Sequence, residues 1–155
     1  MKTKNLSTQL MGCNEVEIHY KRPLFSEMKY IKCAEDVNQL IRTFIDAKRI
    51  DYKEFFWVIL LNYANKVLGI SEISIGSSSA VTVDVKEICQ LALLTSSLAV
   101  AVVHNHPSGK LKPSEADKRI TKKIKKVLDL FGISLLDHLI ITSETFLSFA
   151  DEGII

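Results

Sequence analysis

The stretch AVAVVHNHPSGKLKPSEAD, residues 99–117, decides the fold and points to the chemistry. Its first five residues form an unbroken apolar run of the kind found in a strand buried on both faces. The run ends in two histidines separated by one residue. Side chains two apart in a strand share a face, so His104 and His106 present both imidazoles on one side while Asn105 points to the other. Pro107 biases His106 towards an extended conformation and, having no N–H, ends the sheet pairing there. The histidine pair therefore sits at the carboxyl end of a strand, where open α/β sheets bind their ligands.

Downstream, Ser114 opens a helix to about Phe131, with Ile120, Ile124, Val127, Leu128 and Phe131 as its apolar stripe and Gly132 as its stop. ISLLDHLIIT and TFLSFA read as two final strands. Upstream, Val37, Leu40, Ile41, Phe44 and Ile45 share a helical face, and Glu35 and Asp36 favour its positive end, which predicts a helix over 35–48. EFFWVILLNYANKVLGISEISIG reads as two strands, 54–61 and 66–75, turning in NYAN. GSSS forms a loop, AVTV a short extended piece, and Asp84 with Glu87 caps a helix over 85–96. EVEIHYKRP, in which Val16, Ile18 and Tyr20 alternate, suggests a short lead strand ending at Pro23. Strands interleaved with helices and hairpins predict an α/β fold, a mixed β-sheet flanked by helices.

A chain of 155 residues suits one domain with one core, and 47% hydrophobic with 25% charged residues is an ordinary globular balance. MKTKNLSTQL lacks the apolar centre of a secretory signal, and the longest apolar run, FFWVILL, is too short to cross a bilayer. A soluble, cytoplasmic protein with no membrane partner is expected. Cys13, Cys33 and Cys89 are odd in number and widely spaced, so neither a disulfide framework nor a thiolate zinc cluster organises the chain.

The net charge of +2 defines no partner, but Lys110, Lys112, Lys118, Arg119, Lys122, Lys123, Lys125 and Lys126 face only Glu115 and Asp117 in the same segment. This run has two readings, a solvated helix face or a guide for an acidic substrate or nucleic acid through residues 118–126. No aromatic residue is interleaved, which argues against stacking of single-stranded bases.

Catalytic zinc commonly takes three ligands from histidine and carboxylate and leaves a fourth position for water. Asp117 is a candidate third ligand beside His104 and His106. Ser114 and Asp117 also fit the capping-box spacing, which would leave Asp117 a purely structural task. The histidines have a bland reading as well, as structural or surface side chains. His19 and His138 lack a partner at ligand spacing, and His138 is expected to hydrogen-bond locally near a strand start. A zinc nucleobase deaminase is not indicated, because His-x-Glu and Pro-Cys-x-x-Cys are both absent.

HNHPSGKLKPSEAD resembles the JAMM motif of JAB/MPN metalloproteases, in the HNHPSG…PS…D form of RadC-like proteins. The resemblance continues through EFFWVILLNYANKVLGISEISIG, TVDVKEI and LLDHLIIT…SFADEG, and covers residues 34–153. It implies a three-layer, deaminase-like JAB/MPN architecture in residues 34–155, with 1–33 as a lead segment packed on that domain. It also implies one zinc ion with a bound water, held by His104, His106 and Asp117, with Ser114 near the water and able to donate to a developing oxyanion.

In such proteins a glutamate between the first helix and the following strand acts on the water, and Glu54 stands at that position. Taken alone, Glu54 reads equally as a solvated carboxylate at a strand end; Glu72 and Glu87 are weaker candidates. Asn105 reads as structural, and Ser108 and Gly109 as turn residues. The implied activity is that of a zinc metallopeptidase cleaving a peptide or isopeptide bond in a protein substrate. The competing expectations are a metal-dependent nuclease or DNA-associated protein, and a non-enzymatic interaction domain. RadC-like proteins generally carry an N-terminal helical region resembling a helix-hairpin-helix module; residues 1–33 leave no room for one, so DNA affinity through it is not expected.

Overall fold

Strand β3 (Ala99–Asn105) is buried along its whole length, as its apolar run requires, and lies at the centre of a five-stranded sheet. The computed structural model describes residues 16–76 and 82–155. The sheet contains β1 (Phe55–Leu61), β2 (Val67–Ile75), β4 (Ser134–Ile141) and β5 (Phe146–Ser148) in the order β2-β1-β3-β4-β5. β3 runs antiparallel to β1 and parallel to β4, while β1–β2 and β4–β5 are antiparallel hairpins. The parallel pair needs a crossover, and helix α3 (Glu115–Asp129) supplies it.

Alternation of side chains along the strands creates two cores. One face carries Phe56, Val58, Leu60, Val100 and Val102, packed against helix α2 (Val85–Leu94) and against Ile124 and Leu128 of α3. The other carries Phe55, Trp57, Ile59, Ala101 and Val103, packed against Val37 and Ile41 of helix α1 (Ala34–Phe44). The result is the predicted α/β architecture, a mixed sheet between helical layers. His104 belongs to the α2/α3 side and Asn105 to the α1 side.

Several boundaries differ from the sequence reading for identifiable reasons. The first helix was expected to reach 48 but stops at Phe44, because Ile45 turns extended and the Asp46 carboxylate accepts from Lys48 N to start a separate 3₁₀ turn over Ala47–Arg49. α2 ends at Leu94 rather than 96, and Asp84 caps it by accepting from Lys86 N and Glu87 N. α3 ends at Asp129, just ahead of Gly132 at φ 67°.

Over residues 16–23, the described part of the expected lead strand, no strand forms. Val16 and Ile18 are exposed, at 92% and 78%, and their alternation packs against nothing. The next residues do dock: Tyr20 donates its hydroxyl to Leu68 O at 2.6 Å, Met28 and Ile31 are buried, and Tyr30 bridges Lys66 beside β2. Cys33 is exposed and Cys89 buried, and burial raises the Cys89 thiol above its ordinary value. Cys13, GSSS from Ser77 on and the first half of AVTV lie outside the described residues. Among the described residues no helix is long and apolar enough to cross a membrane.

Candidate metal centre

The local chemistry of β3's last residues builds the site. His104 is 1% exposed on the α3 side of the sheet. His106 follows the strand, and its N–H extends the pairing to Ile141 O at 2.9 Å before Pro107 ends it. The chain then turns back through Gly109, at φ 75°, a left-handed conformation that glycine adopts without steric cost. This turn brings Lys110 O to 2.6 Å from His106 Nδ1. A carbonyl only accepts, so Nδ1 carries a hydrogen, and in its neutral form the His106 ring directs its Nε2 lone pair inward.

Ser114 and Asp117 close the site from the start of α3. Ser114 Oγ accepts from Asp117 N at 3.1 Å, and Asp117 Oδ2 accepts from Ser114 N at 2.7 Å, a reciprocal capping box. The Ser114 hydroxyl hydrogen is also engaged by Oδ2, at 2.7 Å. The two readings of Asp117 prove compatible: Oδ2 caps the helix while Oδ1 lies 3.3 Å from His104 Nε2. Its carboxyl is held far below the usual range; burial opposes this, but the adjacent imidazoles of His104 and His106 and the Ser114 hydroxyl prevail. His106 is raised, first by Asp117, with burial acting the other way.

Glu54 comes from the opposite side. Phe56 pairs with His104, so the antiparallel register carried two residues further sets Glu54 across from His106. Glu54 is half-buried, and one donor atom from each of Glu54, His104, His106 and Asp117 lies within 4.8 Å of the others. Among the described residues no other such group of His, Cys, Asp and Glu forms. Glu72 instead pairs with Arg49 at 3.3 Å, Glu87 sits in the first turn of α2, and His19 is exposed.

The donor set suits a divalent cation. His104 Nε2 and His106 Nε2 are 2.9 Å apart, and Asp117 lies 3.3 and 3.6 Å from them. Tetrahedral ligands at about 2.0–2.2 Å from zinc stand about 3.3–3.6 Å from one another; the two Asp117 separations match this, and the imidazole pair stands closer. With a lone pair on both Nε2 atoms, the two imidazoles and the carboxylate repel one another unless a positive charge lies between them. A metal ion meets that demand, and a proton meets it only in part.

Two residues matter here in ways the sequence reading missed. His138, expected to bond locally, is fully buried with Nε2 at 2.7 Å from His104 Nδ1 and Nδ1 at 2.6 Å from Thr121 Oγ. Burial, and then the neighbouring His104, lower its basicity well below the ordinary value, so it is neutral. The signal was a lone imidazole in an otherwise apolar half-strand, HLII, parallel to the strand that carries His104.

Asn105 is structural in a specific sense. Its carboxamide accepts from Phe55 N at 2.7 Å and donates to Ile50 O and Lys53 O at 2.6 and 2.7 Å, clamping the segment that delivers Glu54. Asn105→Ala leaves three backbone groups unpaired, two of them buried and one half-buried, and we expect a loss of about 2–4 kcal/mol in denaturant unfolding. A loss near zero would show that the clamp does not hold this segment.

On the outer side of α3, Arg119, Lys122, Lys123, Lys125 and Lys126 are exposed, while Lys118 pairs with Glu115 at 2.9 Å. Thr121, Ile124 and Leu128 form the buried stripe.

Fold and cluster together define a class, an α/β domain whose candidate metal site lies at a strand's carboxyl end. The chain belongs to the RadC-like JAB domain family, whose model matches residues 31–154. Its relatives include UPF0758 proteins of Flavobacterium johnsoniae, 46% identical over 65% of this chain and 44% of that protein, and of Alkaliphilus metalliredigens, 38% identical over 89% and 59%. A UPF0758 protein of Chlorobaculum parvum is 33% identical over 95% of this chain and 69% of its own length. The chain thus spans about half the length of several curated relatives that it matches.

Proposed function

We propose that this domain is a zinc-dependent hydrolase of the JAMM type, a metallopeptidase that cleaves a peptide or isopeptide bond. The observation that carries the reading is the convergence of His104, His106, Asp117 and Glu54 within 4.8 Å beside an inward-facing imidazole lone pair. His104, His106 and Asp117 would hold the ion. When bound, zinc supplies Lewis acidity, which acidifies a water and polarises a carbonyl. Glu54 takes a proton from the attacking water and returns it to the leaving amine. Ser114 keeps Asp117 oriented through the capping box, and its hydroxyl serves a developing oxyanion by turning away from Oδ2.

The exposed basic face of α3 supports a second reading, in which the same chemistry is directed at a polyanion or the domain docks on DNA. One experiment separates these. Protein loaded with zinc is offered linear and isopeptide-linked peptides and, separately, duplex DNA at graded salt. We expect peptide cleavage that a chelator abolishes, added zinc restores and His106→Ala lacks. DNA cleavage with inert peptides would establish the second reading. Stoichiometric zinc with no cleavage of either would leave an interaction domain.

A further inference from the structure

We propose that Thr121 and His138 form a positioning relay that fixes the ring tautomer of His104, aiming its Nε2 lone pair at the metal site. The inference rests on the reading of that site given above, and it starts from one hydroxyl with two close neighbours. Thr121 Oγ lies 2.6 Å from Asp117 O and 2.6 Å from His138 Nδ1. The carbonyl has no hydrogen to give, so a 2.6 Å contact between two oxygens is attractive only if the threonine hydrogen lies between them. His138 Nδ1 must then supply its own hydrogen to Thr121 Oγ.

The rest follows along the chain of contacts. A neutral imidazole carries one ring hydrogen, so His138 Nε2 is an acceptor. It lies 2.7 Å from His104 Nδ1, which therefore carries the hydrogen, and His104 Nε2 is left with a lone pair. The reverse assignment puts two oxygen lone pairs face to face at 2.6 Å and aims a His104 Nε2–H at the place a cation needs. This direction makes every contact along the relay attractive and leaves the Nε2 lone pairs of His104 and His106 facing each other at 2.9 Å, which is the arrangement a cation between them requires.

The surroundings leave the relay no substitute. His104, Thr121 and His138 are each at most 1% exposed. Phe56 stacks near His104 at 6.0 Å between ring centres and meets His138 edge-on at 5.5 Å, while Phe149 packs on His138 at 4.6 Å. Buried to this degree, a side chain that loses its partner gets no replacement from bulk solvent. A ligand histidine is commonly oriented by a carboxylate or a backbone carbonyl. A neutral imidazole does this here without adding negative charge to a dry core. The relay also closes on Asp117, whose carbonyl takes the threonine hydrogen while its carboxylate faces His104.

Thr121→Val keeps the shape and removes the hydroxyl; Thr121→Ser restores it. Two readouts apply: the tautomer of each histidine from long-range proton–nitrogen NMR correlations of the metal-free protein at mildly alkaline pH, and zinc affinity by chelator competition. In wild type and Thr121→Ser we expect His104 with its hydrogen on Nδ1. In Thr121→Val we expect that hydrogen to move to Nε2 in a substantial fraction, and zinc affinity to fall about 10–100-fold. An unchanged tautomer and unchanged zinc affinity in Thr121→Val would overturn the relay, as would a Thr121→Ser variant as impaired as Thr121→Val. If wild type itself failed to bind zinc, the metal reading would fall, while the tautomer spectra would still decide the relay.

Discussion

Glu54→Gln is expected to bind zinc as wild type does and to lose hydrolysis by about 10²–10⁴-fold, the range that a positioned general base contributes. The substitution keeps side-chain length and hydrogen-bonding reach but removes basicity, so it tests proton transfer rather than shape. Glu54 is well placed for this task. Its carbonyl accepts from Gly76 N at 2.7 Å, and the preceding carbonyl, Lys53 O, accepts from Asn105 Nδ2 at 2.7 Å, so the backbone on both sides of its Cα is held. Its carboxylate shares the 4.8 Å cluster yet, unlike Asp117, makes no bond to either imidazole there. On the proposed reading that difference makes Glu54 the proton carrier and Asp117 an ion-holding group. Metal content and turnover measured on one preparation decide the matter: full zinc with wild-type turnover would remove Glu54 from the chemistry, and lost zinc would make it a ligand.

The sheet and its helices were legible because their signals are local. FFWVILL and AVAVV are too apolar to lie anywhere but between two layers, and the stripe through Ile124 and Leu128 marks the inner face of α3. The histidine pair was legible from strand periodicity, and Asp117 from its place at a helix start. What depends on the meeting of distant segments was not. Glu54 is fifty residues from His104 and came from the family pattern, whereas the register of β1 on β3 brings it opposite His106. His138 looked ordinary because its partners, Thr121 and His104, lie on a helix and a neighbouring strand. The alternation at Val16 and Ile18 misled for the converse reason, since a periodic pattern forms a strand only where an edge accepts it.

Asp117→Ala should damage the protein twice, because one carboxylate serves two purposes through its two oxygens. With Oδ1 gone, the imidazole pair loses its only anionic companion apart from Glu54, and zinc affinity should fall by more than the about 10–100-fold typical of outer-shell partners. With Oδ2 gone, Ser114 N–H and Oγ–H lose their acceptor at the first turn of α3, which costs about 1 kcal/mol. Asp117→Asn divides the effects. Its amide oxygen can still accept from Ser114 N and keep the cap, but its neutral side chain cannot balance a divalent ion. Thermal unfolding with and without zinc reads both terms, since a ligand that binds only the native state raises its stability in proportion to the logarithm of its concentration over Kd. Wild type should gain stability with zinc and both variants should not, while in the absence of zinc only Asp117→Ala should show the missing cap. An Asp117→Asn protein stabilised by zinc as strongly as wild type would mean that the carboxylate only caps the helix, and that any ion is held by other groups.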